Sequence, residues 1–303
     1  MMIFGQQSIR SRLVYQFLKY RNFRAHLNVP LKKHRTELEH SARYLLMPSQ
    51  VNVRRITVDN IPTEWLKPID AKQDKAILYL HGGAFTMGSC NTHRVLASRF
   101  ALASNTLVLL PEFRLAPEFP FPASLEDCVN VYYGLINNGF SPKKIDIVGD
   151  SSGGNLALVL SELLGNFIIP LPAALVCLSP WVDLSLSRDS LITLAKLDPI
   201  CNLDICRYHA GLYAGEKDKR LPLVSPVFAE LQGFPPILIQ VGTKDIFLSD
   251  AIRLKDRASK EEVDVTFEIW DGMWHVWHIF AAFVPEAQRA IDKAGAFIRK
   301  HID

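Results

Sequence analysis

The apolar positions of this chain recur in two rhythms. Ile9, Leu13 and Phe17 stand four apart, flanked by Val14 and Leu18. That period predicts an amphipathic helix over 9–24, with Arg10, Arg12, Lys19 and Arg21 on its other side. Pro30 separates it from a second helical stretch over 37–46. From Val51 the period shortens. Residues 51–58 alternate at both ends, Asn60 and Pro62 signal a turn, and Ala76–Leu80 is a continuous apolar run. A strand buried on both faces needs such a run.

Beyond it the pattern predicts a helix over 94–103, a strand over 106–110, a helix over 125–135 and a strand over 145–148. A helix over 155–164 follows, then strands over 174–178 and 237–241. A helix over 250–259, a strand over 265–270 and a helix over 286–300 complete the chain. Strand and helix in alternation mean an α/β fold: a mostly parallel sheet with helices on both faces. Residues 183–233 break the alternation with proline, aromatic and charged positions, as an insertion over the strand ends would. The expected organisation is an N-terminal helical segment, 1–50, and a main domain, 51–303.

Composition narrows the class. Of 303 residues, 49% are hydrophobic and 21% charged, the balance of an ordinary globular chain. No apolar run reaches the length of a membrane span and no secretory signal is visible, so a cytoplasmic protein is expected. Five cysteines, odd in number and without a C-x-x-C pair, agree with a reducing compartment. The net charge of +3 is uneven: residues 1–50 hold nine Lys or Arg against Glu37 and Glu39, so the remainder is acidic. This lacks the density of a nucleic-acid patch, and no nucleic-acid partner is expected. The basic helix has several readings: a packed helix with a solvated face, a lid over a site, peripheral contact with an anionic membrane, or a mitochondrial presequence.

Chemistry concentrates around Gly149-Asp150-Ser151-Ser152-Gly153. A serine hydroxyl is a poor nucleophile unless presented to a base without neighbouring bulk. A tight strand-to-helix turn does this, and Gly149 and Gly153 lack the Cβ atoms that would collide across it. At about 7% Gly and a similar share of Ser, Gly-x-Ser-x-Gly arises by chance in roughly one such chain in ten. The pentapeptide alone therefore does not decide, and the remaining machinery must be found.

The strand ending at Leu80 runs into His81-Gly82-Gly83-Ala84-Phe85, where glycines let amides point at a ligand. The amides of Gly82, Gly83 and Ser152 are the expected oxyanion donors, and Ala84 and Phe85 the expected substrate contacts. The base must follow the serine. His209 falls in the irregular insertion and His301 at the terminus, which leaves His275 and His278, just past the last strand. The orienting acid is expected after the preceding strand, at Asp245, with Asp250 as runner-up and a plausible helix-terminal residue.

Phe113-Arg114-Leu115-Ala116-Pro117-Glu118, Phe121-Pro122-Ala123, Gly149 to Asn155, Ser179-Pro180-Trp181-Val182-Asp183-Leu184 and Gly272 to Trp277 together resemble the hormone-sensitive-lipase-like branch of the α/β-hydrolases. The nearest likeness is to bacterial esterases grouped with monoterpene ε-lactone hydrolases. The resemblance implies an α/β-hydrolase fold with a helical cap built from 1–50 and roughly 183–233. It implies Ser151 as nucleophile, His275 as base and Asp245 as acid, acting on an ester or lactone without metal or cofactor. A homodimer is compatible with it. Three departures stand out: Ala84 for a third glycine, Ser152 for the usual alanine and Phe113 for the usual tyrosine. Only the amide of Ser152 is expected to be used, so its hydroxyl should be dispensable.

Other readings fit less well. Trypsin-like proteases share Gly-Asp-Ser but are all-β and place the histidine first. His275-x-x-His278 lacks a third zinc ligand at proper spacing. A non-catalytic ligand-binding relative, as among plant hormone receptors of this branch, would lack the triad histidine.

Overall fold

In the computed structural model, residues 2–5, 7–21, 29–71, 74–187 and 189–302 are described. Nine strands form one sheet: β1 (Met2–Phe4), β2 (Val51–Val58), β3 (Ile61–Pro68), β4 (Ala76–Leu80), β5 (Leu107–Pro111), β6 (Ile145–Asp150), β7 (Ala174–Leu178), β8 (Ile237–Gly242) and β9 (Val265–Trp270). Their order is β1-β9-β8-β7-β6-β4-β5-β3-β2. Pairing is parallel except where β3 meets β2 and β5.

The two-residue period of a strand sorts side chains into two cores. Leu78, Leu80, Ile147 and Ile239 face one side, against α4 (Ala123–Asn137), α5 (Ser152–Asn166) and α8 (Leu248–Lys260). Ile77, Tyr79, Val148 and Leu238 face the other, against α3 (Cys90–Ser104) and α9 (Pro285–Ile302). Both faces of the central strands are covered, which is why β4, β6, β7 and β8 are buried along their whole length.

Two strands escape the sequence pattern. The turn expected at Asn60 is present, with Asp59 at φ 48° and Asn60 at φ 66°, but Pro62 belongs to β3. Proline is tolerated there because it sits next to the strand's start, and its carbonyl still accepts from Glu112 N at 2.8 Å. β1 is three residues long, too short for periodicity. It pairs with β9, and Phe4 stacks on Trp270 at 4.7 Å.

Ahead of the core lie α1 (Ile9–Tyr20) and α2 (Leu31–Ser41). Arg24, the expected end of the first helix, lies outside the described residues. α1 packs through only part of the expected stripe: Leu18 is buried, together with Ser11 and Tyr15, whereas Ile9, Leu13 and Phe17 are exposed. Tyr15 rests against Trp274, its hydroxyl donates to Leu197 O at 2.8 Å, and Ser8 N donates to Glu286 Oε1 at 2.5 Å. These contacts made the stripe a poor guide, since a capped helix can present apolar residues on two sides. Residues 183–233 are interrupted by α6 (Ser190–Thr193) and α7 (Leu203–Ala214), the latter capped by Asn202.

Candidate active site

Every loop that carries a candidate residue leaves the carboxyl end of a parallel strand, the edge where open α/β sheets bind ligands. His81–Phe85 follows β4, Ser151 follows β6, Asp245 follows β8 and His275 follows β9.

Ser151 sits on the turn between β6 and α5 at φ 54° and ψ −117°, a strained conformation for a non-glycine residue. The turn closes because its flanks are bare. A Cβ on Gly149 would lie 2.2 Å from Gly153 O, and one on Gly153 would lie 1.9 Å from Leu80 O. Ser151 N donates to Leu178 O at 2.8 Å and holds the turn against β7.

His275 Nε2 lies 2.9 Å from Ser151 Oγ, and its Nδ1 lies 3.2 Å from Asp245 Oδ1. All three residues are buried. Asp245 Oδ1 also accepts from Phe247 N at 2.9 Å, which fixes the carboxylate. Burial favours the neutral imidazole, but Cys201 and Asp245 outweigh it and hold the His275 pKa well above the ordinary value. The Cys201 thiol is itself pushed up by its hydrogen bond to Cys206 and by burial. Asp198 stands beside both residues: ligand atoms of Asp198, Asp245 and His275 all lie within 4.8 Å of one another. Its oxygens accept from Ile200 N, Cys201 N and Ile246 N at 2.8, 3.1 and 2.9 Å. Burial, with the Asp245 charge added, raises its pKa to about 6. This buried acid belongs to the insertion and carried no signal in the sequence.

The runners-up fall away on geometry. His278 Nε2 pairs with Gln240 Oε1 at 3.0 Å, and burial lowers its pKa to about 3. Asp250 accepts from Asp183 N at 3.2 Å and so anchors the start of the insertion. His209 does reach the site region: it lines the cavity over Ser151, with Nδ1 2.7 Å from Thr86 Oγ1. Sequence reasoning passed over it because its helix, α7, was not anticipated.

The loop after β4 departs from expectation at three places. Gly82 N donates to Asp150 Oδ1 at 3.1 Å, so that amide is engaged and is no oxyanion donor. Asp150 also accepts from Tyr79 Oη at 2.8 Å and lies 3.4 Å from His93 Nε2. Burial works against its charge, but His93 and then Tyr79 hold its pKa below the ordinary carboxylate value. Among the described residues, the amides of Gly83 and Ala84 find no protein acceptor. Phe85 turns inward, stacked on Tyr213 at 3.8 Å and 1% exposed, so it is a core residue and not a substrate contact; Ala84 does line the cavity. Finally, Ser152 Oγ accepts from Phe85 N at 3.2 Å, so the hydroxyl expected to be idle braces this loop. Phe113, standing for the usual tyrosine, stacks on His81 at 4.1 Å.

Over Ser151 and His275 opens a cavity of about 700 Å³. Its walls are mainly apolar: Leu18, Leu38 and Leu45 from the N-terminal segment, Ile200 and Ile205 from the insertion, and Phe247 and Phe280 from the core. Among the described residues no helix is long and apolar enough to cross a membrane.

Comparison with known proteins agrees with this geometry. A family model described as the alpha/beta hydrolase fold matches residues 77–279. An acetyl-hydrolase of Streptomyces hygroscopicus is 41% identical over 245 residues, 80% of this chain and 81% of that protein. An esterase of Acinetobacter venetianus is 35% identical over 272 residues, 89% of each chain. Among solved structures, an esterase from the bacterial hormone-sensitive lipase family superposes with a TM-score of 0.94 at 39% identity, covering 99% of this chain and 100% of the other. A hormone-sensitive lipase from a metagenome library gives a TM-score of 0.94 at 35% identity with the same coverage. With more than half its length matched by the family model, and with relatives above 30% identity across most of both sequences, this chain belongs to the α/β-hydrolase fold family, in its hormone-sensitive-lipase-like branch of esterases.

Proposed function

We propose that this carboxylic-ester hydrolase works through Ser151 as nucleophile, His275 as general base and Asp245 as orienting acid, on esters of short to medium acyl chains. The observation that carries the reading is the hydrogen-bonded relay from Ser151 Oγ through His275 to the buried Asp245, with Ser151 and His275 lining an apolar cavity. His275 Nε2 takes the serine proton as Oγ attacks the ester carbonyl. Asp245 holds Nδ1–H and stabilises the imidazolium that forms. The free amides of Gly83, Ala84 and Ser152 receive the oxyanion. His275 then protonates the leaving alkoxide, and water, activated by the same ring, hydrolyses the acyl-enzyme.

The walls supplied by residues 1–50 and 183–233 are proposed to be the cap that shapes the acyl site. A volume of about 700 Å³ suits a small-molecule substrate. The five unpaired cysteines favour a reducing compartment such as the cytoplasm.

Steady-state kinetics on nitrophenyl esters from acetate to palmitate, with lactones alongside, tests the assignment. Each methylene buried in the cavity contributes about 0.8 kcal/mol, so kcat/KM should climb about fourfold per methylene until the cavity is full, then fall. A flat profile from acetate to octanoate would remove the cavity as the acyl site.

A further inference from the structure

The outer side of α1 has no partner within the described chain. Ile9, Leu13, Phe17 and Tyr20 are 76%, 66%, 58% and 88% exposed. At about 100° per residue these four side chains fall within roughly a quarter of the helix circumference. The opposite side, with Tyr15 and Leu18, is buried, which leaves the second apolar stripe outward. Arg10, Arg12, Lys19 and Arg21 are exposed around that stripe, and α1 contains no acidic residue. None of these four bases makes an ion pair with a described residue. The stripe is also continuous with the active-site entrance: Phe17 and Arg21 line the cavity over Ser151, together with Tyr44 and Phe283, which are 81% and 47% exposed.

We propose that α1 docks this enzyme on the surface of an anionic membrane, so that the cavity opens at the lipid–water interface and takes amphipathic acyl esters residing there. An apolar stripe flanked by bases, with no acid among them, is the composition of a helix that lies in the headgroup layer. A convex stripe of four side chains inserts between lipids, and the bases meet lipid phosphates. A two-fold contact between two copies would fit worse, because it would bring two sets of arginines together without an acid on α1 to offset them. The inference rests on the hydrolase reading for its substrate class, but the docking itself does not.

The test uses the full chain and extruded vesicles of phosphatidylcholine, with or without phosphatidylglycerol. The protein should sediment with the phosphatidylglycerol vesicles at least tenfold more strongly than with phosphatidylcholine alone, and salt should release it. Leu13→Glu, which touches neither the cavity nor the core, should lower the partition coefficient at least tenfold. Arg10→Gln with Arg12→Gln should lower it for the anionic vesicles only. Leu13→Glu should also slow hydrolysis of a long-chain ester embedded in the vesicles at least tenfold, with turnover of a soluble acetate ester unchanged. Acetate turnover thus reports on the hydrolase reading separately from sedimentation. Wild-type protein left in the supernatant with both vesicle types would overturn the proposal. So would a dimer in light scattering that Leu13→Glu dissociates, since α1 would then be a contact between copies. Equal loss on the acetate ester would place Leu13 in the integrity of the site and overturn it as well.

Discussion

Ser152→Ala removes one oxygen, and the structure sets the expected cost. Ser152 Oγ accepts from Phe85 N at 3.2 Å, and both residues are 1% exposed. The variant leaves a buried N–H without an acceptor, at about 1–3 kcal/mol. The loop it holds is already strained: Gly83, Ala84 and Phe85 follow one another at φ 119°, 55° and 61°. Two non-glycine residues in the left-handed region store of order 1 kcal/mol or more each. Losing the brace lets that strain relax, and the amides of Gly83 and Ala84 move with it. Gly82 N, still tied to Asp150, marks where the displacement stops. Felt at the transition state, about 1–3 kcal/mol corresponds to a loss of roughly 5- to 150-fold in kcat. The assay is kcat and KM on a nitrophenyl acetate, with the affinity of a tetrahedral boronate and the thermal midpoint measured on the same preparation. KM should hardly change, because the ground-state carbonyl uses the oxyanion donors little, whereas boronate affinity should fall in step with kcat. A kcat within twofold of the wild type would refute the reasoning, whatever the thermal midpoint does.

Further expectations follow from the same geometry. With the His275 pKa held above the ordinary 6.5, kcat/KM should rise with pH through a midpoint above that value, because the neutral ring is the base. Asp245→Asn should pull that midpoint down and cut kcat by about 10⁴; a wild-type midpoint at or below 6.5 would contradict the assigned charge pair. His278→Ala should keep activity within tenfold while lowering stability by about 1–3 kcal/mol, since its ring pairs with Gln240 and packs on Trp277 without touching Ser151, and kinetics with chemical denaturation checks both. Gly153→Ala should destabilise by about 3 kcal/mol or more, visible as loss of soluble protein, because the added Cβ meets the Leu80 carbonyl at 1.9 Å.

What could be read from the sequence follows the reach of each signal. The buried strands announced themselves as continuous apolar runs, and the Gly-x-Ser-x-Gly frame needs only local sterics, so the sheet and the elbow at Ser151 were legible. Chain order along the sheet then brought out Asp245 and narrowed the base to His275 or His278, and the family resemblance chose His275. The outward stripe of α1 was not legible, since helical spacing marks Ile9, Leu13 and Phe17 as one face without saying whether that face meets protein or solvent. β1 was too short to show a period, and α7 was hidden inside residues read as irregular. The assignments at Gly82 and Phe85 failed for a shared reason: a loop of consecutive left-handed residues aims its amides and side chains by backbone angles that residue type does not reveal. Asp198 and the hydroxyl of Ser152 act through contacts made only when distant segments meet.

The central claim is that Ser151 is the nucleophile. Peptide mapping by mass spectrometry after treatment with an alkyl fluorophosphonate tests it most directly, because the reagent traps the serine that His275 activates. One adduct per chain, on Ser151, is the predicted result, with none on Ser151→Ala of unchanged thermal midpoint. An adduct on another residue, or wild-type esterase turnover by Ser151→Ala, would contradict the account.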